Sequence, residues 1–351
     1  MQPPSRGVTS IFTWKILPFF ALLSFLLSSC QNTPKTLPTI TSQATATFPP
    51  TSTPTPEPLG SQNNPLIIGF VSETRDLKVT SAANQLAAQL TSSSGYTVVS
   101  QVFSSYHDLI SSLQGGSVQI SWLPPLTYIY AYQNKAAEVA LLTNHFGVYQ
   151  YGSQFLVNSD QNFQSFFDPT HNQNTANAAT ALAQFKGLRP CWVDLQSPSG
   201  YIIPASILLE NGDEFQPGVV TQSSTSVVRA LYIKGICDYG VTFAISGDPR
   251  TSSEVLQDLP DALNKIVIIW RSDPIIPNLN LSFIPSVPKG IRDNIVATLQ
   301  DLVVTGQGKK IISDANNYDV QDLKIVDDSI YDPLRADVRR VGIDLQTTLG
   351  K

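Results

Sequence analysis

Short apolar runs alternate along the chain with stretches in which apolar residues recur every three to four positions. This pattern predicts strands alternating with helices, and hence an α/β fold with largely parallel sheets. Residues 66–71 form the first predicted strand, and Ala82, Ala83, Leu86, Ala87 and Leu90 then line one helix face. A strand at 96–99 follows, then a helix carrying Tyr106, Leu109, Ile110 and Leu113, stopped by Gly115-Gly116. The next strand, 118–123, ends at Pro124-Pro125, which opens a helix from Leu126. Residues 151–157 are expected to cross into a second lobe, after which 158–184 are a polar excursion. The second lobe opens on a strand at 191–194 and a helix to about Glu210. It continues with a strand at 219–220, a helix over 225–233 and strands at 238–243 and 265–270. Residues 274–278 lead back, and Ile291, Ile295, Leu299 and Leu302 mark a last amphipathic helix. No internal repeat is present.

Ahead of this region the pattern differs. Arg6 and Lys15 precede an apolar run over 16–27, about a dozen residues against the roughly 20 that span a bilayer. That length predicts a secretory leader rather than a membrane span. The run closes on Leu27-Ser28-Ser29-Cys30, which resembles the bacterial lipobox. Small residues suit a peptidase that holds the chain extended, and the cysteine thiol accepts a diacylglycerol. Residues 1–29 are therefore expected to be a lipoprotein signal peptide, with Cys30 the lipidation site. From 30 to 64, Thr, Pro and Ser dominate, so this segment is expected to be a lipid-anchored linker without a core of its own.

Composition narrows the partners. With 22 basic and 27 acidic residues the net charge is −5, and no Lys or Arg run suggests a nucleic-acid groove. No later apolar run is long enough to cross a membrane. The three histidines, His107, His145 and His171, do not have metal-ligand spacing, and neither a metal nor a cofactor is expected. Cys191 and Cys237 remain once Cys30 is acylated. An oxidising compartment permits a bridge between them, and two buried free thiols fit the sequence equally well.

The sharpest local feature is Ser197-Pro198-Ser199-Gly200-Tyr201, between a strand and an apolar helical run. Ser197 suits an N-cap and Pro198 the first helical position. The N–H groups of Ser199, Gly200 and Tyr201 are then free donors, which together with the helix dipole and two hydroxyls make an anion site. Gly200 is expected to let the ligand approach the backbone. Plain helix capping is the other reading of these residues.

Several separated stretches together resemble the phosphate/phosphonate/phosphite-binding subunits of ABC importers, a branch of the type II periplasmic binding proteins. They are Ser104-Ser105-Tyr106, the segment from Ser121 to Tyr128, Phe185-Lys186-Gly187, the Ser197–Tyr201 loop, the segment from Val227 to Asp238, and Ile276-Pro277-Asn278. The resemblance implies two α/β lobes, each a mainly parallel sheet flanked by helices, with two crossover strands as hinge. Lobe 1 is expected over 65–151 and 275–351, and lobe 2 over 152–274. It also implies site residues: Tyr106 and Tyr128 as first-lobe phenols, and Ser197, Ser199, Gly200 and Tyr201 around the oxyanion. Asp238 would accept from a protonated oxygen or pair with a ligand amine. Two positions depart from the family: its loop threonine is Pro198 here, and its histidine is Thr225, which is expected to take the histidine's place as the eighth ligand-binding residue.

The implied role is an extracytoplasmic solute-binding lipoprotein, a monomer tied to the bacterial cell membrane through its lipid alone. It would capture a small oxyanion and deliver it to a separate permease and ATPase. Two alternatives keep the fold: a ligand-sensing partner of a membrane receptor, or a binder of a different small solute. An enzyme is not expected, since no Gly-X-Ser-X-Gly elbow, no paired His and nucleophile and no metal cluster is present.

Overall fold

The computed structural model describes residues 57–350. The expected signal peptide, Cys30 and most of the expected linker lie outside the described residues. The linker's last residues do not. Leu59 packs on the first core, and the Thr97 N–H donates to the Gly60 carbonyl, so the folded body begins before residue 65.

The chain opens with β1 (Leu66–Val71), α1 (Leu77–Ser94), β2 (Val98–Phe103), α2 (Tyr106–Gln114), β3 (Ile120–Leu123), α3 (Pro125–Gln133) and β4 (Glu138–Asn144). Next, β5 (Gln150–Asn158) leads to a short hairpin, β6 (Phe167–Asp168) and β7 (Gln173–Asn174), and to α4 (Ala178–Leu182). Then come β8 (Pro190–Trp192), α5 (Ile203–Glu210), β9 (Val219–Val220), α6 (Ser224–Ile233) and β10 (Tyr239–Ala244). Two short helices, α7 (Ser253–Asp258) and α8 (Ala262–Lys265), precede β11 (Ile266–Arg271). The return runs through β12 (Ile276–Pro277), β13 (Asn280–Phe283), α9 (Lys289–Val303), α10 (Gly306–Asn316) and β14 (Asp322–Ile325), ending in α11 (Asp332–Val341) and α12 (Leu345–Leu349).

Local chemistry sets these boundaries. The Asp76 side chain caps α1 by accepting from the Lys78 N–H at 2.8 Å, and Gly95 ends the helix at φ 78°, where an L side chain is strained. Six α1 residues, Val79 to Leu90 at helical spacing, are buried.

Two mixed sheets result. The first has order β14-β4-β13-β3-β1-β2, with β1 parallel to β2 and β3, and with β13 and β14 running the other way. The second has order β11-β5-β10-β8-β9, in which β5 alone opposes its neighbours. The segment expected to be a crossover is thus also a central strand of lobe 2, and β12 pairs with its first residues, Ile276 with Tyr151. The two crossing segments touch closely: Ser153 and Ser272 exchange hydrogen bonds, and a Cβ on Gly152 would lie 3.0 Å from the Ser272 and Asp273 carbonyls.

Strands β8 and β10 pair in parallel, which brings Cys191 and Cys237 together. The two cysteines form a disulfide with Cα atoms 5.6 Å apart. One boundary needs amending. Helix α11 falls in the range assigned to lobe 1, yet it packs on α5 of lobe 2. Ser206 donates to Asp337 at 2.6 Å, and Arg340 donates to Ser206 and to Glu210 at 2.7 and 3.1 Å. Its Leu334 and Val338 share one apolar core with Ile202 and Ile203.

Candidate functional site

The parallel strands of each sheet aim their C-terminal ends at one edge, and β13 and β14, running the other way, bring their N-terminal ends there. Ligands of α/β sheets gather at such edges. A cavity of about 250 Å³ lies at this edge beside the hinge.

Lobe 1 supplies its aromatic wall. After β4 the chain reverses at Phe146-Gly147, with φ 47° and 86°, between the bridged residues His145 and Val148. Both central residues at positive φ make this a tight hairpin turn of the twisted kind that suits β-strands. The turn holds Phe146 59% exposed at the cavity mouth. His145 stacks on Tyr318 with centroids 4.1 Å apart, and its Nδ1 faces the Asp319 carbonyl at 2.7 Å. A carbonyl only accepts, so Nδ1 carries a proton and donates. Burial pushes the Tyr318 phenol up, as does the neighbouring Tyr151.

The hinge supplies Tyr151 and Asn278. Burial drives the Tyr151 pKa up to about 12, although a hydrogen bond with the Ser199 side chain pulls it back. The hydroxyl is therefore a neutral donor at physiological pH. Asn278 is 1% exposed; its Nδ2 donates to the Val148 and Thr143 carbonyls at 2.7 and 3.3 Å, while its Oδ1 has no partner.

Lobe 2 contributes two turns. Phe243 near the end of β10 and Ser246 just past it line the cavity, and Ile245 between them sits at φ 78°. A β-branched residue there is strained by about 1–3 kcal/mol, a feature found at ligand clamps. The second turn, Pro198–Ile202, is a π turn capped by Ser197. Its Gly200 N–H donates to the Ser197 hydroxyl, and the Tyr201 and Ile202 N–H groups both donate to the Ser197 carbonyl. The buried Ser199 keeps a free N–H and presents its hydroxyl to the cavity. The turn predicted to offer three free N–H groups therefore offers one.

Of the eight residues expected to bind ligand, Ser199 alone lines this cavity. Ser197 is occupied as the cap. Gly200 serves packing rather than ligand approach, because a Cβ there would lie 2.4 Å from Val193 Cβ. The half-buried Tyr201 stands edge-on to Trp192 at 5.2 Å. Thr225 contacts Ser223 and Glu254 instead. Tyr106 begins α2 at the same sheet edge but does not reach the cavity, and burial followed by the Glu73 charge pushes its phenol up. Tyr128 belongs to the interior of lobe 1: its ring is fully buried, lies 4.3 Å from Tyr331, and its hydroxyl donates to Asp328 at 2.6 Å. Asp238 precedes β10 and accepts from the Arg189 N–H at 2.7 Å. It lies at the opposite end from Ser246 of that six-residue strand, whose own length is about 20 Å at 3.3 Å per residue.

The cavity residues that sequence reasoning missed come from the two crossings, from the ends of β4 and β10 and the turns after them, and from the turn between α10 and β14. Tyr151 and Asn278 stood in segments already read as crossings, and that was the available signal. Among the described residues no His, Cys, Asp and Glu cluster could hold a metal, and no helix is long and apolar enough to cross a membrane.

Two lobes, two crossing segments and a cavity between them define a type II periplasmic binding protein. The model of the family described as "ABC transporter, phosphonate, periplasmic substrate-binding protein" matches residues 68–331, and the chain belongs to that family. It is accordingly a solute-binding component of an ABC transporter, in a family of transport rather than catalysis. No curated protein matches the sequence. Among solved structures, a Xanthomonas citri protein bound to chloride has a TM-score of 0.58 at 15% identity, covering 79% of this chain and 98% of its own. PhnD1 of Prochlorococcus marinus in complex with methylphosphonate has a TM-score of 0.53 at 14% identity, covering 79% and 97%. At these identities the likeness establishes the fold.

Proposed function

We propose that this protein captures a small phosphonate-class oxyanion in the hinge cavity and hands it to a separate permease and ATPase. It acts as a monomer held outside the cell membrane by a lipid on Cys30. The observation that carries the reading is the gathering at one hinge cavity of Ser246, the mutually hydrogen-bonded Tyr151 and Ser199 side chains, and the Ser199 N–H, which has no backbone partner. Donors so placed accept no more than a small anion, and lobe closure about β5 and β12 would enclose it. The Prochlorococcus protein of like fold was solved with methylphosphonate, which supports the ligand class. The ligand should leave unchanged, with no turnover.

Calorimetry and thermal shift with phosphate, phosphite, methylphosphonate and aminoethylphosphonate test the reading, and silence across that panel would overturn it. Tyr151→Phe removes one donor while keeping the ring. A hydrogen bond to a charged group contributes roughly 1.5–3 kcal/mol, so affinity should fall about 10- to 100-fold with an unchanged melting profile. Unaltered affinity in titration calorimetry would remove Tyr151 from the site.

A further inference from the structure

We propose that Asn278 reads a proton on the captured oxyanion, so that the site takes the singly charged hydrogen form of a phosphonate-type ligand and rejects a sulfonate of the same shape and charge. This rests on the oxyanion reading above and names the form of ligand selected.

The orientation of the Asn278 carboxamide is fixed by chemistry. Its Nδ2 faces two backbone carbonyls, of Val148 and Thr143. Carbonyls only accept, so turning the group over would set oxygen against oxygen twice. The Oδ1 is thereby committed to the remaining direction, where no protein group donates to it, on a side chain that lines the cavity. A buried acceptor left unpaired is unfavourable, and in native structures it calls for an explanation.

An anion brings many acceptors and few donors. The Ser246 hydroxyl, the proton left over from the bonded Tyr151–Ser199 pair and the Ser199 N–H answer the acceptors. Asn278 offers the reverse: an oxygen of the ligand that meets Oδ1 must carry a hydrogen. A hydrogen phosphonate has one P–O–H, whereas a sulfonate has none and would set a negative oxygen against the carboxamide oxygen.

Charge points the same way. None of the residues lining the cavity is Lys, Arg, Asp or Glu, and its titratable groups are His145, Tyr151 and Tyr318. A doubly charged ligand would meet no fixed counter-charge there, and moving charge from water into such a site is costly. Asp238, the acceptor expected from the sequence, lies at the far end of β10, so Asn278 stands in the role that Asp238 was expected to fill.

The test is calorimetry of the purified wild-type protein with methylphosphonate and methanesulfonate. It is run at about pH 5, below the second ionisation of a phosphate-type group near 6, where both ligands carry one negative charge. Both see the same state of His145, so its protonation cancels in the ratio. Methylphosphonate should bind at least about tenfold more tightly, because a site built to pair a hydroxyl rejects the analogue that lacks one. In Asn278→Leu the ratio should shrink to within about threefold, since the acceptor is gone. Equal binding in the wild type, or an unchanged ratio in the variant, overturns the proposal and leaves the oxyanion reading standing. Binding of neither ligand, nor of any member of the phosphate and phosphonate panel, overturns the oxyanion reading itself. Should Asn278→Leu fail to fold, the wild-type ratio alone decides.

Discussion

Reduction of the Cys191–Cys237 bridge should lower the unfolding free energy of lobe 2 by about 4 kcal/mol, the value the chain-entropy relation gives for a loop of this size. The two cysteines are 46 residues apart in sequence, and the loop they close holds β8, the π turn, α5, β9 and α6. With the bridge open, the unfolded chain regains the freedom of that loop, while the folded state keeps the β8–β10 pairing and the buried surroundings of both sulfurs. Urea unfolding with and without reductant measures the difference, and Cys191→Ser/Cys237→Ser should melt at the reduced midpoint and ignore reductant. Ligand affinity below the transition should move by no more than a few fold, because the bridge sits at the N-terminal ends of β8 and β10 and the cavity at the other. Coincident wild-type transitions in both buffers, with two free thiols by mass, would refute this. A bridge of this kind suits the oxidising exterior in which the family works.

The alternation of strands and helices was legible because its periods, two and 3.6 residues, are local properties of the chain. The crossings were legible too, since the apolar runs at 151–157 and 274–278 interrupt the strand–helix rhythm. Long-range geometry was not. Tyr128 looked available because α3 follows a strand end; its hydroxyl is taken by Asp328, 200 residues later in sequence. Helix α11 escaped notice because Asp332-Pro333-Leu334-Arg335-Ala336-Asp337-Val338-Arg339-Arg340 shows only two large apolar positions, and beside their packing its attachment to lobe 2 runs through the Arg340–Glu210 ion pair and the Ser206 hydrogen bonds. Asp238 is placed differently: it lies before its strand, whereas the hinge cavity lies past the strand's other end. The aromatic wall, gathered from His145, Phe146 and Tyr318, carries no local mark at all.

Replacing Gly200 by Ala should weaken ligand binding by about 100-fold, at the top of the range expected for removing a single hydroxyl, although Gly200 does not touch the cavity. The added Cβ would stand 2.4 Å from Val193 Cβ, 2.7 Å from Val193 Cγ2 and 2.9 Å from the Ser197 hydroxyl. The first of these atoms is rooted on the backbone just past β8 and cannot swing aside. Restoring ordinary contact near 3.5 Å requires the π turn to move out by about 1 Å. Ser199 is the next residue, so its N–H and its hydroxyl would move together. Hydrogen bonds weaken steeply over such a displacement, and two bonds to an anion at roughly 1.5–3 kcal/mol each, partly lost, give an effect of this size. The overpacking itself should remove about 1–3 kcal/mol of stability. A second substitution separates this mechanism from general damage. Val193→Ala keeps the offending Cβ and should recover little, whereas Val193→Gly removes it and should restore much of the affinity in the Gly200→Ala background. The coupling between positions 193 and 200, measured as a double-mutant cycle in calorimetry, should therefore be strong when Val193→Gly is the second change and weak when Val193→Ala is. Equal recovery by both, or full affinity in Gly200→Ala alone, would mean that the position of the turn does not govern capture.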